Sequence, residues 1–234
     1  MNTRAFCLLS GGIDSSTVLA IAVAAFGAAK VEAVSVNYGQ RHQRELSAAK
    51  NVALHFAVQH NIIYIEDMPR TALTDDTKEI PRVRYADIKG VSPSYVPFRN
   101  GQFLAKMAAR ASAWCVEQEQ GSNYAADRSA VIYIGTHAED AANDAYPDCR
   151  LDFIGAMGAA IYIGTYHKVR VSAPLIESFK AEIITKGQAL GVPWDLTWSC
   201  YLGAAQHCGT CPTCRARREG FQKAGIADLT LYAA

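Results

Sequence analysis

The chain has 234 residues, half of them hydrophobic, enough for one good-sized core or for one domain with a small appendage. Lysine and arginine number 23 against 22 aspartates and glutamates, so the basic field on which non-specific nucleic-acid binding relies is missing and no direct nucleic-acid partner is expected. No uninterrupted apolar run reaches the roughly 20 residues of a membrane helix, and the apolar start is too short for a signal sequence; a soluble, cytoplasmic protein is expected.

Along the chain, strand and helix signals alternate. A β-rich run from Ala5 to Leu9 meets a Ser-Gly-Gly turn, and Ser15 to Phe26 has the composition of a buried helix. Val31 to Gly39 reads as a strand ending in a loop, Gln43 to Phe56 as a helix and Asn61 to Glu66 as a third strand. Residues 67 to 98 interrupt the pattern with Pro69, Pro81, Pro93 and Pro97, a loop or lid whose length points to function. A long helix is predicted from Asn100 to Glu119, then polar GSNYAADRS and a strand from Val131 to Gly135. A helix from about Leu151 to Ile163, the strand KVRVSAP and a helix from about Lys180 to Leu190 follow, stopped by Gly191 and Pro193. A cysteine-rich segment and a short helix through Phe221 end the series. This order predicts an α/β fold with a parallel sheet, divided into an α/β domain at 1–195 and a packed C-terminal segment at 196–234.

The stretch LLSGGIDS, residues 8 to 15, joins the first strand to the first helix. Glycines let a backbone approach a ligand, successive N–H groups converge on phosphate oxygens, and the helix dipole favours negative charge there. Leu8, Leu9, Ser10, Gly11, Gly12, Ile13, Asp14, Ser15 and Ser16 are therefore the candidate nucleotide contacts, the alternative being a merely tight turn. The run lacks both the lysine of a Walker loop and the spacing of a dinucleotide fingerprint. Asp14 reads as a helix cap or as a contact to magnesium or nucleotide.

Of seven cysteines, Cys200, Cys208, Cys211 and Cys214 lie at intervals of eight, three and three. Four thiolates at that spacing close a tetrahedron around one ion, which points to structural zinc over an iron–sulfur cluster or redox cysteines. His207 reads as a bystander, Cys7 and Cys115 as core residues. Cys149 is read as pocket wall, with a nucleophilic role as the alternative.

The motif SGGIDS resembles the PP-loop of ATP pyrophosphatases. Together with YGQRHQRE, VPFRN, YPDCR, KAEI, TWSCY and CGTCPTCRARREGF, in that order, it makes the sequence similar to the queuosine-pathway family of 7-cyano-7-deazaguanine synthases over essentially its whole length. The resemblance implies a Rossmann-like sheet with helices on both faces, a bound zinc, a homodimer, and ATP-driven conversion of 7-carboxy-7-deazaguanine and ammonia into the nitrile. It places Arg41 and His42 beside the nucleotide. Asp14, Arg99 and Lys180 become the candidate catalytic groups, Lys180 with a solvated surface lysine as the alternative. Tyr38, Phe98, Asn100, Tyr146, Asp148 and Arg150 are candidate substrate contacts, with core packing the alternative for Tyr38 and Phe98 and an ordinary turn for YPDCR. Phosphate charge would be shared with Mg2+.

Three features depart from the common family pattern: Phe98 stands where glycine is usual, GSNYAADRS lengthens a connection, and THAEDAANDAYPDC carries His137 and extra residues. They leave room for a relative that stops at the amide, takes a neighbouring carboxylate, or serves DNA modification or defence. Two further readings are a PP-loop enzyme of tRNA thiolation, which calls for reactive thiols and a basic surface, and a non-catalytic nucleotide-binding module.

Overall fold

The computed structural model describes residues 2–82, 84, 87, 90–117, 127–141 and 145–233. Five strands, β1 (Asn2–Leu8), β2 (Val31–Asn37), β3 (Gln59–Tyr64), β4 (Arg128–Tyr133) and β5 (Val169–Ser172), form one sheet in the order β3-β2-β1-β4-β5. Every neighbouring pair is parallel, for example Phe6 against Glu32 and Ile132. The helices are α1 (Ile13–Phe26), α2 (Arg44–His55), α3 (Arg99–Val116), α4 (Ala138–Ala141), α5 (Leu151–Gly164), α6 (Lys180–Ala189) and α7 (Pro212–Ala224).

The strands alternate with period two and so feed two cores. Ala5 and Cys7 of β1 pack with α1, α2, α6 and α7 on one face; Phe6 and Leu8 pack with α3 and α5 on the other. Helices thus cover both faces, as parallel sheets require. Helix α1 is wedged between the sheet and α6 and carries apolar or small residues all round. At the α1–α6 contact a Cβ on Gly187 would run into the Trp194 ring and stand 2.6 Å from Thr17 Oγ1.

Several element edges move from their expected places because pairing partners decide them. β1 starts at Asn2 and β4 at Arg128, three residues before the expected edge in each case, since Asn2 pairs with Arg128 and Thr3 with Ser129. β3 runs 59–64 and not 61–66, because Gln59 and His60 already pair with Glu32 and Ala33. α3 includes Arg99 and reaches Val116; Glu119 and residues 121–126 of GSNYAADRS lie outside the described residues. The proline-rich stretch between β3 and α3 is anchored by buried Leu73 and Val96.

The chain builds β1, β2 and β3 to one side, then crosses to β4 and β5 on the other, so the order reverses between β1 and β4. In open α/β sheets ligands bind at the carboxyl ends of the strands where such a reversal leaves a crevice. The turn after β1 and the turn after β4 meet there, and a Cβ on Gly135 would stand 3.1 Å from the Ser15 nitrogen.

Candidate active site

The corner between β1 and α1 is tightly wound. Leu9 N–H donates to the Val34 carbonyl (2.9 Å), extending the strand by a residue. Gly11 turns the backbone at φ +79°; a Cβ there would stand 2.5 Å from the Ala49 nitrogen and 2.7 Å from the Glu45 carbonyl, because α2 backs directly onto the turn. Ser15 Oγ accepts Ser10 N–H (3.2 Å), lies 3.0 Å from Ser10 Oγ and donates to the Gly12 carbonyl (3.3 Å). Gly12 is the N-cap of α1 and brings no side chain, which leaves first-turn N–H groups facing outward beside the dipole's positive end.

A cavity of about 230 Å3 opens on this corner. Leu8, Leu9, Ser10, Gly12, Ile13, Asp14 and Ser15 all line it; Gly11 and Ser16 do not, Gly11 being covered by α2 and Ser16 fully buried in α1. Lys180, at the first position of α6, also faces the cavity although it is only 8% exposed. Its Nζ stands 2.7 Å from Asp14 Oδ1 and 2.9 Å from His137 Nε2. Burial pushes the Asp14 carboxyl up, but the Lys180 charge and its hydrogen bond bring it below the ordinary value. Burial likewise pushes the Lys180 ammonium down, and the charges of Asp14 and Asp140 raise it above its ordinary value.

The far wall comes from the start of α3. Arg99 extends over the Tyr38 and Phe103 rings and donates to Tyr38 Oη (3.4 Å). Asn100 donates from Nδ2 to the Asp148 carbonyl (3.2 Å) and to Cys149 Sγ (3.2 Å). Asp148 Oδ2 accepts the Asn100 backbone N–H (2.9 Å), so this carboxylate caps α3 from 48 residues away. Burial pushes the Cys149 thiol well up, which keeps it neutral and suits it to a wall.

Other candidates sit elsewhere. Arg41 lies off the cavity, its Nη1 donating to the carbonyls of Ala72 (3.2 Å) and Lys78 (2.8 Å), where it holds the proline-rich loop. Its neighbour His42 does face the cavity, with Nε2 on Glu45 (2.9 Å), its ring tilted against Tyr201, and Nδ1 buried without a partner among the described residues. Tyr146 Oη lies between the hydroxyls of Ser94 (2.6 Å) and Ser92 (3.1 Å). Arg150 is solvent-exposed and pairs with Asp152. Phe98 is half exposed, edge-on to Phe153, and takes a left-handed backbone at φ 55°. Neither it, Tyr146, Asp148 nor Arg150 lines the cavity. Sequence reasoning gave no role to Thr136, His137 and Asp140; their signal was their place just past β4, at the same strand edge as the Ser-Gly-Gly corner.

The third wall is built from the C-terminal segment: Trp198, Ser199, Tyr201, Thr213 and Arg217. Behind it, the Sγ atoms of Cys200, Cys208, Cys211 and Cys214 all lie within 4.8 Å of one another. Zinc held at about 2.3 Å by four thiolates sets the sulfurs about 3.8 Å apart, and Cys208 and Cys214 Sγ are 3.9 Å apart. N–H groups of Thr210 (3.4 Å) and Cys211 (3.3 Å) point at Cys208 Sγ, and that of Cys208 (3.4 Å) at Cys200 Sγ, the usual surroundings of metal thiolates. The donor set fits zinc. His207 stays outside it, its Nε2 accepting Ser199 N–H (3.0 Å).

A reversing parallel sheet with helices on both faces, and with a Ser-Gly-Gly corner and a lysine–aspartate pair at its carboxyl edge, defines a Rossmann-like α/β protein. Comparison with known proteins narrows the class. The family model described as Queuosine biosynthesis protein QueC matches residues 4–225. The chain is 39% identical to the 7-cyano-7-deazaguanine synthase of Nostoc punctiforme, over 98% of this chain and 100% of that one. It is also 39% identical to that of Thermoplasma acidophilum (98% and 92%) and 37% identical to that of Oceanobacillus iheyensis (98% of each). The chain belongs to the QueC family of queuosine biosynthesis.

Proposed function

We propose that this protein is an ATP-dependent carbon–nitrogen ligase that converts 7-carboxy-7-deazaguanine and ammonia into 7-cyano-7-deazaguanine. The observation that carries the reading is the cavity shared by the Ser-Gly-Gly corner, the Asp14–Lys180 pair and the Arg99–Asn100 wall. A carboxylate is a poor electrophile. Attack of its oxygen on the α-phosphorus of ATP releases pyrophosphate and leaves an acyl adenylate; ammonia then displaces AMP and, after losing a proton, gives the amide. The amide oxygen attacks a second ATP in the same way, and loss of AMP and the amide protons yields the nitrile. Both rounds need one thing of the protein, stabilisation of the departing pyrophosphate.

Backbone N–H groups at Gly12 and the first turn of α1 suit the phosphates, and the Lys180 ammonium is positioned to meet charge as it develops. Asp14 and Asp140 offer the carboxylate oxygens that magnesium prefers, and magnesium bound with the nucleotide would spread the phosphate charge. The apolar strand ends Leu8, Val34 and Val36 suit a purine plane, while Tyr38, Arg99 and Asn100 suit the polar edge and ring of a deazaguanine. The zinc-type centre has a structural place, because its four cysteines face one another and none of them lines the cavity. That arrangement also disfavours a sulfur-carrier role.

The test is pyrophosphate release from ATP with and without 7-carboxy-7-deazaguanine and ammonia, with mass analysis of the product. Release that needs the acid, and a product of nitrile mass, support the proposal. Amide as the final product would move the chain to a variant activity, and nucleotide binding with no release would sink the ligase reading.

A further inference from the structure

His137 is 2% exposed and follows Thr136, which lines the cavity, at the point where β4 passes to α4. Thr136, Asp140 and Lys180 face the cavity and the His137 ring does not, so whatever His137 does for a ligand it does through them. Three charged groups from three elements surround its Nε2: Lys180 Nζ of α6 at 2.9 Å, Asp140 Oδ2 of α4 at 3.2 Å and Asp14 Oδ2 of α1 at 3.7 Å. On the other side of the ring, Nδ1 lies 3.3 Å from the backbone N–H of Glu139, whose own Oε1 accepts the Lys180 backbone N–H (3.0 Å).

One neutral imidazole cannot make all these contacts as hydrogen bonds, because only one of its nitrogens carries a proton. Protonated on Nδ1, the ring accepts a Lys180 N–H at Nε2 and forgoes Glu139. Protonated on Nε2, it donates to the Asp140 carboxylate, accepts Glu139 N–H at Nδ1 and turns an N–H against the ammonium. The first form holds Lys180 and the second lets it go. Neither changes the net charge of a buried site: one proton leaves one ring nitrogen and one arrives at the other through water. A carboxylate in the same place would hold the ammonium permanently.

We propose that His137 is a positioning residue with two tautomeric settings, one that holds the Lys180 ammonium on Asp14 and one that releases it toward a phosphate oxygen in the cavity. This rests on the reading of the Ser-Gly-Gly corner as the nucleotide site.

The test combines imidazole 15N NMR of the full-length, metal-loaded chain with steady-state kinetics. The His137 signals are assigned by their loss in His137→Asn. Addition of magnesium and a non-hydrolysable ATP analogue is expected to move the ring proton from Nδ1 to Nε2; an unchanged tautomer overturns the proposal. In kinetics, His137→Asn retains an acceptor for Glu139 N–H but is too short for Lys180, and its kcat should fall by about tenfold or more with little change in KM for ATP. His137→Gln reaches Lys180 and, by rotating its amide, can present either the accepting oxygen or the donating NH2, so it should recover most of that loss. Equal rates for the wild-type chain and His137→Asn also overturn the proposal. Two outcomes separate the layers: if the analogue does not bind the wild-type chain the nucleotide reading of the corner fails, whereas if it binds and Lys180→Gln is inactive while His137→Asn is fully active only the role of His137 fails.

Discussion

The Trp198 backbone N–H donates to the Gly11 carbonyl at 2.8 Å, so the segment that enters the cysteine cluster is tied to the middle of the Ser-Gly-Gly turn. The Trp198 indole donates to the Cys200 carbonyl (2.9 Å) and its ring lies 4.1 Å from that of His207. Cysteine cluster, aromatic pair and turn are therefore one line of contacts, and the C-terminal segment is a wall of the cavity as well as an appendage.

Along that line, loss of a metal from the cluster should be felt at the turn. Cys208→Ser should remove most of the bound zinc, expected at about one ion per chain by metal analysis, and lower Tm by on the order of 5–10 °C. In the protein that stays folded, KM for ATP should rise a few-fold while kcat stays near wild type, since no cysteine of the cluster touches the cavity. An unshifted Tm with abolished turnover would refute a structural role for the cluster.

Gly11 tests the turn from its other side. Alanine there carries its Cβ into the α2 backbone at a φ of +79° that side chains avoid. Backbone strain and the displacement of α2 should together cost about 2–4 kcal/mol in urea unfolding. Gly12→Ala, whose nearest atom would be 3.5 Å away, should cost well under half as much. Comparable losses at both positions would show that α2 yields.

Asp14 and Lys180 set a pH dependence with a definite sign. A carboxyl lowered on folding stabilises fully above its unfolded value, and the contribution is lost as pH falls through the folded one. An ammonium raised on folding stabilises fully below its unfolded value, and is lost as pH rises through the folded one. Asp14 is lowered and Lys180 raised, so the pair is at full strength from above the ordinary carboxylate range to below the ordinary ammonium range. Asp14→Asn should be less stable than wild type across that window, and the two urea midpoints should converge as the solution becomes acidic. A gap that persists in acid would mean that the carboxylate charge is not what matters. At neutral pH the same variant should stay folded and lose most ATP-dependent pyrophosphate release.

What was legible in the sequence was local. Apolar runs of strand length, a glycine corner and thiols three residues apart each specify geometry within one turn or one hairpin's reach. The sheet, the corner and the cysteine cluster follow from such signals. Such local signals do not specify side-chain partners that are far apart in the sequence. Asp148 sits in a run that reads as a recognition loop, yet its carboxylate caps a helix starting 48 residues earlier. Arg41 follows a strand end where ligand contacts are expected, yet the carbonyls of the proline-rich loop need its donors. His137 was visible as an added residue, but its meaning depends on Lys180, 43 residues on, arriving at 2.9 Å.

The same limit governs Phe98, and a double-mutant cycle exposes it. Phe98 is the N-cap of α3 in a left-handed conformation that costs a non-glycine residue about 1–2 kcal/mol. Its ring folds back over Gly101, where a Cβ would run into the ring edge. Gly101→Ala should therefore displace the half-exposed Phe98 ring and cost about 1 kcal/mol, despite alanine's higher helix propensity. In a Phe98→Gly background the obstacle is gone, and the same Gly101→Ala change should stabilise by up to about 1 kcal/mol. The sign of the Gly101→Ala effect should thus invert between the two backgrounds when unfolding is followed in urea. Equal effects in both would mean that the ring does not rest on Gly101 in solution, and that something other than this contact holds Phe98 in its strained backbone.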